Sequence, residues 1–531
     1  MTYEELKKTL WDAANKLRGS VSAAEYKYPV LGLVFLKYVS DMYDAQASVI
    51  KERLSDPASD LFIDDIEIRN ESYESFVKDR TFFAQDNVFW VPIEAHFNKL
   101  LEQSTLPKIP QLLDEAMTLI ETENPSLNGV LYREFSRLAL DHGKLGELVE
   151  EIAKLKFNPE HHGSKDVFGE VYEYFLGEFA MAEGQRAGEF YTPKSIVNLL
   201  VEILAPFKGK IYDPACGSGG MFVMSAKFKD AHQAKLGKKG DLAIYGQEKM
   251  AETRKLCMMN LAVHGLEGNI GEAYGSTFTN DQHKTLRADY ILANPPFNIK
   301  DWDGDKLKED PRWVYGTPSE SNANYAWLQH MIARLSKQGR AGIVLAKGSL
   351  TSQSSNEGVI RKAMVDNAVV ECIVNLPAQL FSNVTIPCCL WFLSNDKGIG
   401  ANGKKDRRNE VLFIDARSLK FNRLSRKQIE LTEENIYQIS QIYHRWRDTD
   451  FSDGEAYQDE LGLCACVPIE RIAELNYVLT PGRYVGLPDD EDDFNFAERF
   501  NALKAEFKAQ LLEEEELNQA IAENLARINC E

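Results

Sequence analysis

The 531-residue chain has little of what marks several protein classes. Its eight cysteines are Cys216, Cys257, Cys372, Cys388, Cys389, Cys464, Cys466 and Cys530. None forms a C-x-x-C pair and no histidine follows at finger spacing, so a structural zinc site is not expected. Scattered through apolar segments, they read as reduced core residues. No GK[ST] sequence closes a glycine-rich loop, which excludes a P-loop. No apolar run is long enough to span a membrane; the best, Pro29 to Val39, is broken by Lys37. There is no signal peptide either, so the expectation is a chain of the reducing cytoplasm, without membrane insertion. Internal repeats and low-complexity linkers are missing too.

Basic charge is also scarce. Lys and Arg number 61 against 81 Asp and Glu, a net charge of −20 with a pI near 5.1. Phosphate contacts need clustered Lys and Arg, so this chain does not attract nucleic acid through its general field. If it acts on nucleic acid, a local basic surface or a basic partner holds the substrate. What is present is an ordinary globular composition, 44% hydrophobic and 27% charged. At roughly 150 residues per domain the length suggests two to four domains, with ample material for a core.

The texture changes along the chain. Residues 1–145 read as a helical domain: Leu6, Leu10, Trp11, Ala14 and Leu17 share one helical face, and a second apolar helix spans Tyr28 to Tyr43. Further helices are expected over Lys144–Lys156 and Val167–Phe179. From Lys210 short apolar runs alternate with helices. The expected strands are 210–212, 243–246, 290–293, 342–346, 369–376, 387–393 and 411–414. Between them lie helical patterns over Met250–His264, Asn324–Lys337 and Gly358–Asp366. Such alternation predicts a mostly parallel, doubly wound α/β sheet over 146–425. A helical region over 426–531 ends in a long charged helix, Asp493–Arg527.

Four motifs carry chemistry. In Asp213-Pro214-Ala215-Cys216-Gly217-Ser218-Gly219-Gly220 an apolar strand ends in an acid, then a small-residue loop, then a helix. Glycines there let backbone approach a ligand at a strand's carboxyl end. By itself the loop is also compatible with a plain tight turn. The second motif, Tyr245-Gly246-Gln247-Glu248, ends the next strand in a carboxylate able to accept both hydroxyls of a ribose.

Third, the strand Asp289–Ala293 runs into Asn294-Pro295-Pro296-Phe297. Two prolines hold the backbone extended and remove two N–H donors. The acceptors that remain are the Asn294 side-chain oxygen and the Pro295 carbonyl. An exocyclic amine on a base is a poor nucleophile because its lone pair is delocalised into the ring. Two acceptors holding its hydrogens favour a pyramidal nitrogen, and Phe297 offers a face for an extruded base. The fourth motif is Glu189-Phe190-Tyr191-Thr192-Pro193-Lys194, where Thr192 reads as a helix N-cap and Pro193 as the first helical residue.

The order EFYTPK, DPACGSGG, GQE, NPPF resembles the amino-methyltransferases that include the modification subunit of type I restriction–modification systems. Ser354–Lys362, Leu376–Phe381 and Thr385-Ile386-Pro387 are similar to that subunit as well, so the likeness covers essentially the whole chain. The resemblance implies S-adenosylmethionine as methyl donor and N6 of adenine in double-stranded DNA as acceptor. It implies catalysis by Asn294, Pro295, Pro296 and Phe297. It further implies cofactor contacts from Glu189 to Lys194, Asp213, Gly217, Ser218, Gly219, Gly220 and Glu248, and no metal. As partners it implies a specificity subunit joined by two copies of this chain, and a restriction/translocation subunit in the full complex.

Competing readings are weaker. A cytosine-C5 enzyme needs a cysteine nucleophile, but Cys388 and Cys389 lie in a β-like apolar run. Cytosine-N4 enzymes more typically carry Ser before the prolines. Protein-glutamine and RNA methyltransferases lack the EFYTPK segment and the large helical flanks. Pro488-Asp489 with Glu506-Phe507-Lys508 mimics a nuclease signature, yet the lysine lies in a Glu-rich helical stretch. A catalytically dead scaffold would not be expected to keep Asn294–Phe297 intact. The terminal helix, with Phe500, Leu503, Phe507, Leu517, Ile521 and Ile528 at heptad a and d positions, is expected to dock a partner.

Overall fold

Apolar runs too continuous for a half-exposed sheet mark strands buried on both faces, and the computed structural model places them in one nine-stranded sheet. It describes residues 23–486 apart from 87, 138–140, 156, 158–165, 184–191, 382–386, 401–402 and 426–427, together with ten positions between 504 and 521. The expected first helix, residues Glu189, Phe190 and Tyr191, and most of the terminal helix lie outside the described residues. The chain divides into two units, Met1–Val485 and Gly486–Glu531.

The strands are β1 Lys208–Asp213, β2 Asp241–Gly246, β3 Gly268–Asn269, β4 Ala288–Ala293, β5 Leu335–Ala346, β6 Val370–Asn375, β7 Cys388–Ser394, β8 Glu410–Asp415 and β11 Cys464–Pro468. Their order is β11-β8-β6-β7-β5-β4-β1-β2-β3. Strands β3, β2, β1, β4 and β5 are parallel. β7 runs antiparallel to both β5 and β6, and the edge strand β11 antiparallel to β8, so two reversed strands join an otherwise parallel, doubly wound sheet. A separate hairpin pairs β9 Asn422–Arg423 with β10 Ile429–Glu430.

Alternation along each strand supplies two cores. Ile291 and Ala293 of β4 face one, Leu292 the other. One face is covered by α5 Lys194–Leu204, α6 Gly220–Leu236, α7 Ala251–Val263 and α10 Glu433–Arg447; the opposite face by α8 Asn324–Arg334 and α9 Glu357–Asp366.

Ahead of the sheet come α1 Ala23–Ser55, α2 Ile109–Glu123, α3 His142–Ala153 and α4 Asp166–Glu183. Their core continues onto Leu256, Met259 and Val263 of α7, so this helical layer is built against the sheet's own helices. The apolar run 30–39 lies in the middle of α1 with Val30, Leu31, Leu33 and Phe35 buried, and Lys37 is neutralised by Asp41 at 2.5 Å. Among the described residues no helix is long and apolar enough to cross a membrane.

Three expectations change. The 145/146 edge falls inside α3, whose Leu148, Val149 and Ile152 complete the helical core. The 425/426 edge cuts the sheet domain, because α10 packs in the same core as α5 and β11 pairs with β8. The helix from Asn324 stops at Arg334 instead of Lys337. Leu335 leaves it in extended geometry (φ −67°, ψ 144°) and is buried in the sheet core, so β5 starts without a loop.

Candidate active site

β1, β2 and β4 deliver the motifs to one edge of the sheet, since all three are parallel and end at Asp213, Gly246 and Ala293. The strand order turns at β1, which has β2 on one side and β4 on the other. This is the switch point where open α/β sheets leave a crevice for ligands.

The glycine loop is shaped by left-handed backbone at Gly217 (φ +53°) and Gly219 (φ +83°). A Cβ at Gly219 would stand 2.9 Å from Cys257 Sγ, whereas one at Gly217 would meet nothing within 4 Å, so open space lies beside that backbone. Glu248 fastens the loop to the end of β2. One carboxylate oxygen accepts from Gly217 N at 3.0 Å and the other from Met250 N at 2.9 Å. Gln247, fully buried, donates to Gly275 O and Asn280 O and accepts from Gln282 N, holding segment 275–282 in place.

Asp213 is 2% exposed. Burial, with a contribution from the Glu248 charge, raises its carboxyl to about 8 despite a bond from Ala215 N at 2.9 Å. Two buried carboxylates, one of them held protonated, form an environment that favours a cation.

At the end of β4, Asn294 Nδ2 donates to Thr192 Oγ1 at 2.8 Å. Asn294 Oδ1 is buried and has no hydrogen-bond partner among the described residues. The loop beyond is clamped to the start of α8: Asn298 N donates to Asn324 Oδ1 at 3.1 Å, and Asn324 Nδ2 to Asn298 Oδ1 at 2.8 Å. Asn298 takes φ +54°, a conformation Asn tolerates better than most residues.

The structure thus brings together Thr192, Asn294 and its prolines, the glycine loop, Asp213 and Glu248. One expectation needs correction. The N-cap of α5 is Pro193, not Thr192, and no side chain caps it; the Thr192 hydroxyl is taken by Asn294 instead. Phe297 is 7% exposed and meets Phe381 edge-on, with ring centroids 5.8 Å apart, so its ring is mostly covered. Lys194 is half exposed, 4.0 Å from Glu173. With Ser195, Asn198, Phe421 and Leu431 it lines a cavity of about 600 Å³ between α5 and the β9–β10 hairpin.

Sequence reasoning passed over Asn260, whose Nδ2 holds the Ser218 carbonyl at 2.8 Å from the fully buried face of α7. The signal was a lone Asn in an otherwise apolar helical stretch. The Asn298–Asn324 clamp joins residues 26 apart and had no local signal. Burial pushes the Cys389 thiol up to about 12 and raises Cys388 also, as expected of core cysteines and the reverse of an activated nucleophile.

Comparison with known proteins gives consistent matches. The model for N-6 DNA Methylase covers residues 163–493 and that for the HsdM N-terminal domain residues 6–152. The chain is 43% identical to the type I restriction enzyme HindI methylase subunit of Haemophilus influenzae, over 80% of this chain and 93% of that one. It is 37% identical to the MjaIX methylase subunit of Methanocaldococcus jannaschii, over 98% and 91%. Among solved structures it is similar to the type I restriction-modification system methyltransferase subunit from Streptococcus thermophilus. That likeness has a TM-score of 0.71 at 25% identity and covers 91% of this chain and all of the other.

Proposed function

The chain belongs to the N-6 DNA methylase family, among the methylase subunits of type I restriction enzymes, and we propose that Asn294 is its catalytic acceptor for the target amine. The reaction is transfer of a methyl group from S-adenosylmethionine to N6 of an adenine extruded from duplex DNA. The observation that carries the assignment is the buried, unpartnered Oδ1 of Asn294. Leaving such an acceptor unsatisfied costs about 1–3 kcal/mol, a cost that an N–H of the incoming base removes.

The residues fit the cofactor. Asp213 and Glu248 favour a cation, and the open space beside Gly217 admits a ligand against backbone. Asp213, Gly217–Gly220, Glu248 and the segment Glu189–Lys194 would hold it. When bound, S-adenosylmethionine supplies an electrophilic methyl carbon. The chain's own part is orientation. Asn294 Oδ1 and the Pro295 carbonyl hold the two hydrogens of the amine and turn its lone pair outward. Pro295 and Pro296 keep the loop extended without competing donors. Phe297, now packed on Phe381, has to free a ring face before a base can stack on it.

A net charge of −20 fits a chain that does not hold DNA through its own general field, and the likeness to type I methylase subunits supplies the rest of the reading. Duplex DNA is held and its sequence read by a separate specificity subunit, with two copies of this chain bound to each. Cleavage and translocation belong to a further subunit, and the whole acts in the cytoplasm. Methyl transfer by Asn294→Ala in the complex, followed with labelled cofactor, should fall by orders of magnitude while calorimetry shows unchanged cofactor affinity. A near-normal transfer rate would overturn the assignment.

A further inference from the structure

A primary amide has two ends of nearly equal shape and opposite hydrogen-bonding sense. Rotating the Asn294 side chain by half a turn would exchange them at small steric cost. Only the oxygen end can hold an amine hydrogen. The nitrogen end would set N–H against N–H and repel the substrate. Whatever selects the rotamer therefore decides whether the site works.

Two features on opposite sides of the amide accompany the sense found here. Thr192 Oγ1 accepts from Nδ2 at 2.8 Å, across 102 residues of sequence. The backbone that follows the amide has no N–H at positions 295 and 296, so the neighbouring loop offers Oδ1 no donor there. The first feature satisfies the nitrogen and the second leaves the oxygen open, which is what is observed. The hydroxyl is available because α5 does not use it: its N-cap is Pro193, whose carbonyl accepts from Ile196 N and Val197 N. Thr is also stiff about χ1, so the acceptor is held where it stands.

We propose that Thr192 is a positioning residue that holds the Asn294 amide in place with Oδ1 toward the substrate amine. This rests on the reading of Asn294 as the amine acceptor.

The test compares Thr192→Val, Thr192→Ser, Asn294→Ala and the Thr192→Val/Asn294→Ala pair in the complex with the specificity subunit. Single-turnover methylation and calorimetric cofactor affinity are measured for each. Val keeps the shape and removes the acceptor, so the transfer rate should drop by roughly 10- to 100-fold, the scale of one lost buried hydrogen-bond partner. Cofactor affinity should fall by much less. Ser should recover most of the rate, and Val should add nothing in the Asn294→Ala background, where there is no amide left to orient. A wild-type rate for Val, a Ser variant no better than Val, a loss confined to cofactor affinity, or additive effects in the pair would each overturn the proposal. An active Asn294→Ala enzyme would instead remove the underlying reading of the amide.

Discussion

Asp213 gives a pH dependence that the cofactor should report. Its carboxyl is 2% exposed and raised to about 8, first by burial and then by the Glu248 charge. At pH 7 only about a tenth of the sites are therefore ionised. A cationic ligand binds the ionised form better, so binding expels a proton. Apparent affinity should rise about tenfold from pH 6 to 7, by a further several-fold to pH 8, and flatten above it. At pH 7 the cost relative to the plateau is about 1.4 kcal/mol. The same shift acts on stability with a defined sign. The folded chain holds this proton where the unfolded chain has released it, so its stabilising effect is complete below the ordinary carboxylate range and is lost as pH rises through about 8. Calorimetry of S-adenosylmethionine binding between pH 6 and 9, on wild type and Asp213→Asn, isolates the term, because titration of the ligand itself is common to both. Parallel pH profiles for the two proteins would refute the reasoning, and a rise in affinity toward acid would reverse its sign.

Other outcomes follow from the same geometry. Gly219→Ala should destabilise the Met1–Val485 unit by about 2–4 kcal/mol, seen as an earlier calorimetric transition. A left-handed φ and a Cβ 2.9 Å from the buried Cys257 sulfur both oppose it. Ending the chain after Val485 should leave cofactor binding intact, because the sheet and its motifs are complete by then, but abolish co-purification with the specificity subunit. The terminal unit supports this: its described residues Phe507, Leu511, Leu517 and Ile521 are helical and 47–60% exposed. A truncated chain that still assembles would make that helix an ordinary packing element.

The sequence by itself determined the strand-ending motifs and the class of sheet. Local chemistry sufficed for both: Gly217 and Gly219 mark left-handed backbone, paired prolines mark a rigid acceptor loop, and short apolar runs between helices mark strands buried on both faces. It also made the apolar run at 30–39 a core helix and not a membrane span, since Lys37 has Asp41 one turn away. Only the tertiary structure decided which strands neighbour one another. The reversal of β7 between β5 and β6, and the return of β11 to β8 well past residue 425, depend on pairings between distant segments. Residue patterns report burial and period but not a strand's direction or partner. The site divides along the same line. Asn294 stood out in the sequence as an amide placed at a strand end before two prolines. That Thr192 gives up capping α5 to hold its amide, that Asn324 clamps the loop behind it, and that Phe297 is packed on Phe381 are each contacts between segments remote in the chain. A hydroxyl or a ring looks the same in sequence whatever it touches, so such contacts exist only once the chain has folded.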